Sequence, residues 1–405
     1  MKLFTNHREA VFVRRPNRFL IIARDGEEEI PCHCPNPGRL IEFFGPRGSD
    51  IPGIRLILER RSGDPAGGAG PSKAKTAYTA VGLYYRDTVV PLFSSRANKA
   101  AEALILHHLI PGIKEITREY VIGSSRFDFL CIDGEGTRHL IEVKACSLIE
   151  YGTAMFPDAP SERALKHLEE LADLAGKGFC CHVLFVIVHG KPRVFIPNLH
   201  TDPLFAAALS RYGIAAGPKG PPPAAPDRGV HIHAALLRCD KAGNGTLAAK
   251  SVPVDLSHGE LAGSDSGNYL ILLELPEERD IPIGALGTVH FSPGWYVYAG
   301  SARKNLRKRI SRHLRKVRKQ KHWHLDYLSP AARVLKGFPV MSYRNLECAL
   351  AGALKAIGGE AIPGFGSSDC RCGSHLYYFA DPPLQNRAFW DMLLRFQHKT
   401  GLRRG

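Results

Sequence analysis

Apolar and polar positions alternate through segments 9–14, 18–23, 75–84 and 88–93, and Gly- and Pro-rich stretches separate them. Period-two alternation with frequent breakers predicts short strands closing into a small barrel. Residues 62–72 read as a flexible loop. The period then lengthens. Segment 97–109 has helical composition and stops at Pro111-Gly112. Segment 161–174 is an amphipathic helix whose apolar stripe is Leu165, Leu168, Leu171 and Leu174, with Arg163, Lys166 and His167 placed to face phosphates. Segment 179–189 is an unbroken apolar run, the mark of a central strand. Between the helices, 123–130 and 140–144 read as two arms of a hairpin. Phe127, Phe129 and Cys131 alternate with Asp128 and Leu130, and Asp133-Gly134 with Gly136 supply the turn.

A Pro/Gly-rich insertion at 217–226 precedes a further alternating strand at 230–237, which adds to the same sheet. His231 and His233 share one of its faces, read as a partly exposed pair in preference to a metal site. Residues 257–266 are polar and Gly-rich and predict a linker. Beyond it, 267–274 and 295–301 are strand-like. Segment 303–319 predicts a helix with Leu306, Ile310, Leu314 and Val317 as its stripe.

At 405 residues the chain has room for two or three cores. No apolar run reaches the roughly 18 residues needed to span a bilayer, and the N-terminus lacks a signal-peptide apolar core. A cytoplasmic location is expected. The ten scattered cysteines agree with a reducing compartment. A net charge of +15 points to a polyanionic partner, nucleic acid first and DNA in particular, and the lack of a spanning run leads to the expectation of no membrane partner. The charge is concentrated: segment 303–321 holds eleven Lys/Arg and no acid, a phosphate-tracking surface.

The chemistry gathers at two places. Glu142 and Lys144 are two apart on a strand, so they leave the same face. Asp128 lies on the neighbouring strand, and Glu119 upstream adds a third carboxylate. Two carboxylates holding Mg²⁺ or Mn²⁺ beside a lysine are what metal-assisted phosphodiester cleavage needs. The order Glu119, Asp128, Glu142-x-Lys144 resembles the PD-(D/E)XK nuclease core. In Cys32-His-Cys34 no second ligand pair follows nearby, which argues against zinc. The turn at 36–39 is read instead as a rigid mount for Arg39.

The first half as a whole is similar to the sugar fermentation stimulation protein A family. The carrying pieces are 17–20, 33–39, Ala97-Asn98, 123–128, 141–144, 156–159 and His167-Leu-x-x-Leu171. That resemblance implies an OB-type barrel joined to a PD-(D/E)XK nuclease fold, with DNA binding and nuclease activity. The second half resembles the GIY-YIG nuclease fold through Gly267-Asn-Tyr269, Tyr298-Ala-Gly300, Leu306-x-x-Arg309, 322–326, Glu347-Cys348 and 364–375. By that resemblance Tyr269 and Tyr298 position or deprotonate water, Arg309 steadies the phosphate, and Glu347 holds Mg²⁺. Asn268, Ala299 and Ser301 depart from the usual pattern. Cys348, Cys370, Cys372 and His375 are also a candidate structural zinc set, although a polar turn with buried thiols is the favoured reading.

The expected architecture is a multidomain α/β protein: an OB-type barrel at 1–95, a PD-(D/E)XK nuclease-like domain at 96–255, a linker at 256–266, a GIY-YIG-like α/β domain at 267–385, and a C-terminal helix and basic tail at 386–405. Asp128, Glu142 and Lys144 lead the expected catalytic set, followed by Glu119, Tyr269, Tyr298, Arg309 and Glu347. Arg39, Arg126, Arg303, Arg307, His313 and Trp323 are the expected nucleic-acid contacts. His322 and His324 are expected to flank Trp323 on one strand face. The rival expectation is a non-enzymatic DNA-binding protein. Three acids beside phosphate argue against it, because they repel what a pure binder must hold.

Overall fold

The computed structural model describes the chain except residues 6, 37, 46–52, 62–75, 87, 94, 216–228, 316–320 and 401–405. The loop at 62–72, the insertion at 217–226, Val317 and the end of the basic tail therefore lie outside the described residues. Contacts divide the chain into two compact units, Met1–Gly259 and Glu260–Gly405.

Five strands begin the first unit: β1 (His7–Asn17), β2 (Leu20–Asp25), β3 (Glu28–His33), β4 (Arg55–Arg60) and β5 (Tyr78–Tyr85). They pair in the order β3-β2-β1-β4-β5, and a parallel β3–β5 contact at Cys32↔Tyr78 and His33↔Thr79 closes the barrel. Closure removes the exposed edges that short strands otherwise leave. Register shifts in β1 between Phe12 and Asn17 supply the bends a small barrel needs. The interior is apolar, with Ile21, Ala23, Leu56, Ile57 and Leu58 all fully buried.

The helical turn α1 (Ile41–Phe44) plugs one side, and β6 (Thr88–Pro91) leads out of the barrel. Next come α2 (Ser95–Leu104), α3 (Leu106–Leu109), β7 (Glu115–Ile122), β8 (Ser125–Ile132), β9 (Arg138–Cys146), β10 (Leu148–Glu150), β11 (Thr153–Phe156), α4 (Glu162–Ala175) and β12 (Cys180–Ile187). β13 (Val194–Pro197), α5 (Pro203–Tyr212), β14 (Gly213–Ala215), β15 (Val230–Cys239) and β16 (Gly245–Ala249) complete the unit. Its sheet runs β6-β15-β12-β9-β8-β7 onward from the barrel. β12 pairs in parallel with both β9 and β15. It is buried on both faces, as its unbroken apolar run requires. β7, β8 and β9 are antiparallel neighbours, so the expected hairpin is present as β8–β9.

In the stretch read as a plain linker, α6 (Gly259–Ser264) forms a short helix. The second unit contains β17 (Gly267–Leu275), β18 (Arg279–Pro282), β19 (Thr288–Phe291), β20 (Gly294–Ala302), α7 (Leu306–Leu314), α8 (His324–Leu328), β21 (Arg333–Met341), α9 (Glu347–Ala356), β22 (Glu360–Ala361), β23 (Leu376–Phe379) and α10 (Arg387–Arg395). Its sheet order is β21-β17-β20-β23-β22, antiparallel throughout. α7 is shorter than the expected 303–319: Asn305, at φ +57°, is its N-cap and Arg315 its C-cap. Leu306 and Ile310 are buried, but Leu314 is 38% exposed. Residues 322–326, expected on a strand, instead lead into α8. Among the described residues no helix is long and apolar enough to cross a membrane.

Candidate active sites

The first site forms where two ladders open. β8 and β9 pair from Ile132↔Arg138 up to Phe129↔Ile141 and stop there. At the next level the Asp128 side chain replaces a backbone rung: Val143 N–H donates to its Oδ2 at 2.7 Å. On the other side β7 and β8 pair at Arg118↔Phe129 and at Tyr120↔Phe127 but skip Glu119. Glu119 has φ +53°, a left-handed conformation that strains a residue with a Cβ. Asp128 is thus released from both neighbours and pinned by its own carboxylate. Its Oδ1 accepts from the Asn98 amide of α2 at 2.6 Å.

Glu142 is buried on β9, facing α4. Its Oε1 meets His167 Nδ1 at 2.7 Å and accepts from Lys144 Nζ. Its Oε2 is buried and has no hydrogen-bond partner among the described residues. A carboxylate oxygen in that state costs free energy unless something cationic reaches it. Burial alone would raise Glu142, but the His167 hydrogen bond and the Lys144 ammonium outweigh it and hold the carboxyl below its usual value. Asp128 goes the other way. Burial and then the Glu142 charge push it up to about 6, against the pull of Val143 N–H, Lys144 and Asn98. Two carboxylates with opposed shifts, one with an unsatisfied oxygen, form a donor set suited to a hard divalent cation.

A cavity of about 760 Å³ opens beside Asp128, walled by Asn98, Lys99, Glu102, Arg118 and Glu119. Glu119 shares this cavity but is half exposed, and its carboxylate pairs with Arg126 at 2.8 Å. Arg126, expected to meet nucleic acid, therefore spends its charge on Glu119. His167 does not face solvent as expected: it is buried and directed at Glu142, while Arg163 and Lys166 stay outside. Asn98 and His167 were visible as motif residues, but nothing in the sequence assigned them to the carboxylates. Arg39 is exposed on its turn. The Arg15 guanidinium fixes that turn by donating to the carbonyls of Asn36, Gly38 and Arg39 at 3.0, 2.9 and 2.9 Å. Cys32 and Cys34 are buried free thiols.

His231 and His233 are a second correction. His231 is 3% exposed, a buried ring and not a partly exposed one, while His233 beside it is half-buried. A chain of rings crosses the sheet. Asp133 Oδ2 meets His139 Nε2, His139 Nδ1 meets His182 Nε2, and His182 Nδ1 meets His233 Nε2, each at 3.1 Å. Burial pushes His182 well down and His233 to about 3, so these two rings pair as neutral imidazoles.

The second site lies on β17, β20, α7 and α9. Tyr269 pairs across the ladder with Gly300, where a Cβ would stand 2.5 Å from the Tyr269 ring; glycine leaves that space to the phenol. The Tyr269 hydroxyl meets His313 Nε2 at 3.1 Å. Burial raises both Tyr269 and Tyr298, so both hydroxyls stay protonated at neutral pH; they are suited to orient water, not to deprotonate it. Asn268 is fully buried. Its amide donates to Arg344 O at 3.0 Å and accepts from Leu346 N at 2.8 Å, which fixes the loop that starts α9 at Glu347. Glu347 Oε2 accepts from Ser301 Oγ at 2.5 Å, and Oε1 meets His375 Nδ1 at 3.0 Å. Arg309 donates to Ser301 O at 3.4 Å. Tyr269, Tyr298, Arg309 and Glu347 thus converge.

The expected nucleic-acid contacts in this unit divide. Arg303 is exposed beside a cavity of about 280 Å³ that Ser301 and Arg344 also line. Arg307 pairs with Asp265 at 3.0 Å. His313 is 1% exposed, a buried partner of Tyr269 and not a surface contact. Trp323 is half-buried and carries two guanidinium groups over its ring, Arg309 at 4.6 Å and Arg312 at 4.5 Å, in place of a base. Arg312 also forms a paired bridge to buried Asp326, at 2.9 and 3.0 Å.

Residues 13–92 match the SfsA N-terminal OB domain, 95–217 the sugar fermentation stimulation protein RE domain, and 268–397 the domain of unknown function DUF123. The sugar fermentation stimulation protein homolog of Clostridium botulinum (strain Alaska E43 / Type E3) is 37% identical over 204 residues, which is 49% of this chain and 82% of that protein. The homolog of Desulforamulus reducens is 34% identical over 253 residues, 61% of this chain and 92% of that protein. Among solved structures, Pyrococcus furiosus SfsA in complex with Ca²⁺ is similar at 28% identity with a TM-score of 0.50, over 63% of this chain and 99% of that one.

Proposed function

This chain belongs to the sugar fermentation stimulation protein family, and from that premise we propose that its first unit hydrolyses phosphodiester bonds of nucleic acid with the help of a divalent cation. The observation that carries the reading is the pairing of Asp128 with Glu142, whose buried Oε2 has no hydrogen-bond partner among the described residues, at the edge of an open cavity. Asp128 and Glu142 would hold Mg²⁺ or Mn²⁺. That ion would lower the pKa of a bound water and offset phosphate charge. The Ca²⁺ held by the Pyrococcus furiosus relative supports the same class of ion.

The chain's own residues do the rest. Lys144, now on Glu142, brings a positive charge to the site for the phosphate. His167 and Asn98 are positioning residues: each fixes one carboxylate through a single contact. Glu119, Lys99 and Arg118 shape the approach. The net charge of +15 supplies the long-range attraction for a polyanion, DNA in the first instance. In the second unit Tyr269 and Tyr298 would orient water, Arg309 would meet the phosphate, and Glu347 would hold the cation. That head is the weaker cutter, because both Glu347 oxygens are already engaged.

The test is cleavage of end-labelled single- and double-stranded DNA and RNA with Mg²⁺ or Mn²⁺. It compares wild type with Asp128→Ala/Glu142→Ala and with Tyr298→Ala/Arg309→Ala. Metal-dependent cutting abolished by the first pair is the expected result. Undiminished binding with no cutting in any metal would replace the enzyme by a DNA-binding protein.

A further inference from the structure

The second unit carries a cluster that the proposed cleavage leaves unused. Cys348 sits in the first turn of α9, and Cys370, Cys372 and His375 lie in the loop before β23. One ligand atom from each of the four falls within 4.8 Å of all the others. His375 Nε2 is 3.8 Å from Cys348 Sγ and 3.4 Å from Cys370 Sγ. Zinc bound to sulfur at about 2.3 Å and to nitrogen at about 2.0 Å gives tetrahedral edges of roughly 3.5–3.8 Å. The two imidazole–thiol separations already match those edges, and every other pair lies within 4.8 Å.

We propose that Cys348, Cys370, Cys372 and His375 bind one structural Zn²⁺. Two further features of the surroundings suit that ion. The Cys372 N–H donates to Cys370 Sγ at 3.4 Å, the kind of bond that steadies a metal-bound thiolate. Behind the imidazole, His375 Nδ1 meets Glu347 Oε1 at 3.0 Å, so a carboxylate fixes the ring with Nε2 turned to the thiols. Carboxylate, histidine and metal in line is how outer partners orient a zinc ligand. On binding, the three thiols release their protons and His375 stays neutral with its proton on Nδ1. The four ligands fill the coordination sphere, so the ion ties α9 to the 370–375 loop and takes no part in hydrolysis. It also holds Glu347 through His375.

The reading of Glu347 as a cation-holding residue can fail without touching this one, because the zinc test measures metal and not cleavage. Full-length protein expressed with zinc and dialysed against a mild chelator is assayed for metal by mass spectrometry. One zinc per chain is expected, with near-total loss in Cys370→Ser/Cys372→Ser and none in Cys180→Ser, which disrupts the separate trio of His139, Cys180 and His182. Cobalt substitution of the wild-type chain keeps the proposal testable if the double variant fails to fold. Tetrahedral cobalt bound by thiolates gives intense visible bands and a near-ultraviolet thiolate charge-transfer band. A zinc-free wild type, zinc retained in the double variant, or cobalt spectra without the thiolate band would each overturn the assignment.

Discussion

Glu42 offers a test of the first unit that does not depend on catalysis. It lies on α1 and is 1% exposed. Burial comes first and the charge of Asp158 second in pushing its carboxyl up to about 8, with Glu150 adding to the rise. Its carboxyl accepts from Ser147 Oγ at 3.3 Å, and the Cys146 thiol is raised by the same surroundings. Around it, Arg86 and Tyr85 are committed to Glu150, and Arg15 to the carbonyls of the 36–39 turn. The folded protein therefore keeps Glu42 protonated at neutral pH, whereas the unfolded chain ionises it near 4.5. A folded-state value above the unfolded one means the native state holds the extra proton between them. Stability then falls as pH rises from about 4.5 to about 8 and levels off beyond. At about 1.4 kcal/mol per pH unit, that gap sets an upper bound of about 5 kcal/mol. Glu42→Gln removes the titration and keeps the shape. Wild type and variant should melt together near pH 5, and by pH 9 the variant should melt several degrees higher, at roughly 2 °C per kcal/mol for a unit of this size. Thermal unfolding followed by circular dichroism at pH 5, 7 and 9 measures the difference. A gap that does not change with pH, or a wild type that gains on the variant between pH 5 and 8, would refute the buried neutral carboxyl.

Three further outcomes follow from contacts described above. His167→Leu removes a hydrogen bond to a charged group, worth roughly 1.5–3 kcal/mol. It should lower kcat for cleavage about 10- to 100-fold with KM little changed, and His167→Gln should recover part of the loss. Asp326→Asn leaves the Arg312 guanidinium without its paired carboxylate and should destabilise the second unit by about 3 kcal/mol, read by thermal unfolding and by fluorescence of Trp323 beneath Arg312. Gly38→Ala places a Cβ 2.2 Å from Asp158 Oδ2 and should cost about 1–3 kcal/mol in urea denaturation; an unchanged midpoint would show that the 36–39 turn is not clamped.

Local signals carried much of the architecture. The unbroken run of β12, the alternation of β8 and the turn at Asp133-Gly134 each need only neighbours in sequence. The barrel was legible as a class, yet two of its five strands were not. β3 has Pro31 inside it and two acids at its start, and β4 is a short apolar run between arginines with no alternation. α4 shows the same limit on a helix. Leucine at every third position turns about 60° around the axis per step, so Leu165 and Leu174 cannot share a face. The buried stripe is Ala164, His167, Leu168, Leu171 and Ala172. A small alanine and a polar histidine do not announce burial. Helix α7 ends after Leu314, well short of the 319 that its charge pattern suggested.

What the sequence hid most consistently is the partner of each key carboxylate. Glu142 stood out from its spacing to Lys144, and Glu347 from its place in a motif. The group that orients each is a histidine 25 residues away in one case and 28 in the other, His167 at 2.7 Å and His375 at 3.0 Å. Both were read for a different task, one as a phosphate contact and one as a candidate zinc ligand. Spacing along a strand reveals residues that share a face, because two-residue periodicity is a local property of the backbone. It cannot reveal a ring delivered from another element, because packing of the sheet against α4 or of α9 against the β23 loop sets that contact. The buried Glu142 Oε2 makes the consequence concrete. His167 and Lys144 saturate one oxygen and leave the other facing no donor. A side chain contributed from elsewhere thereby turns an ordinary strand glutamate into one end of the proposed cation site.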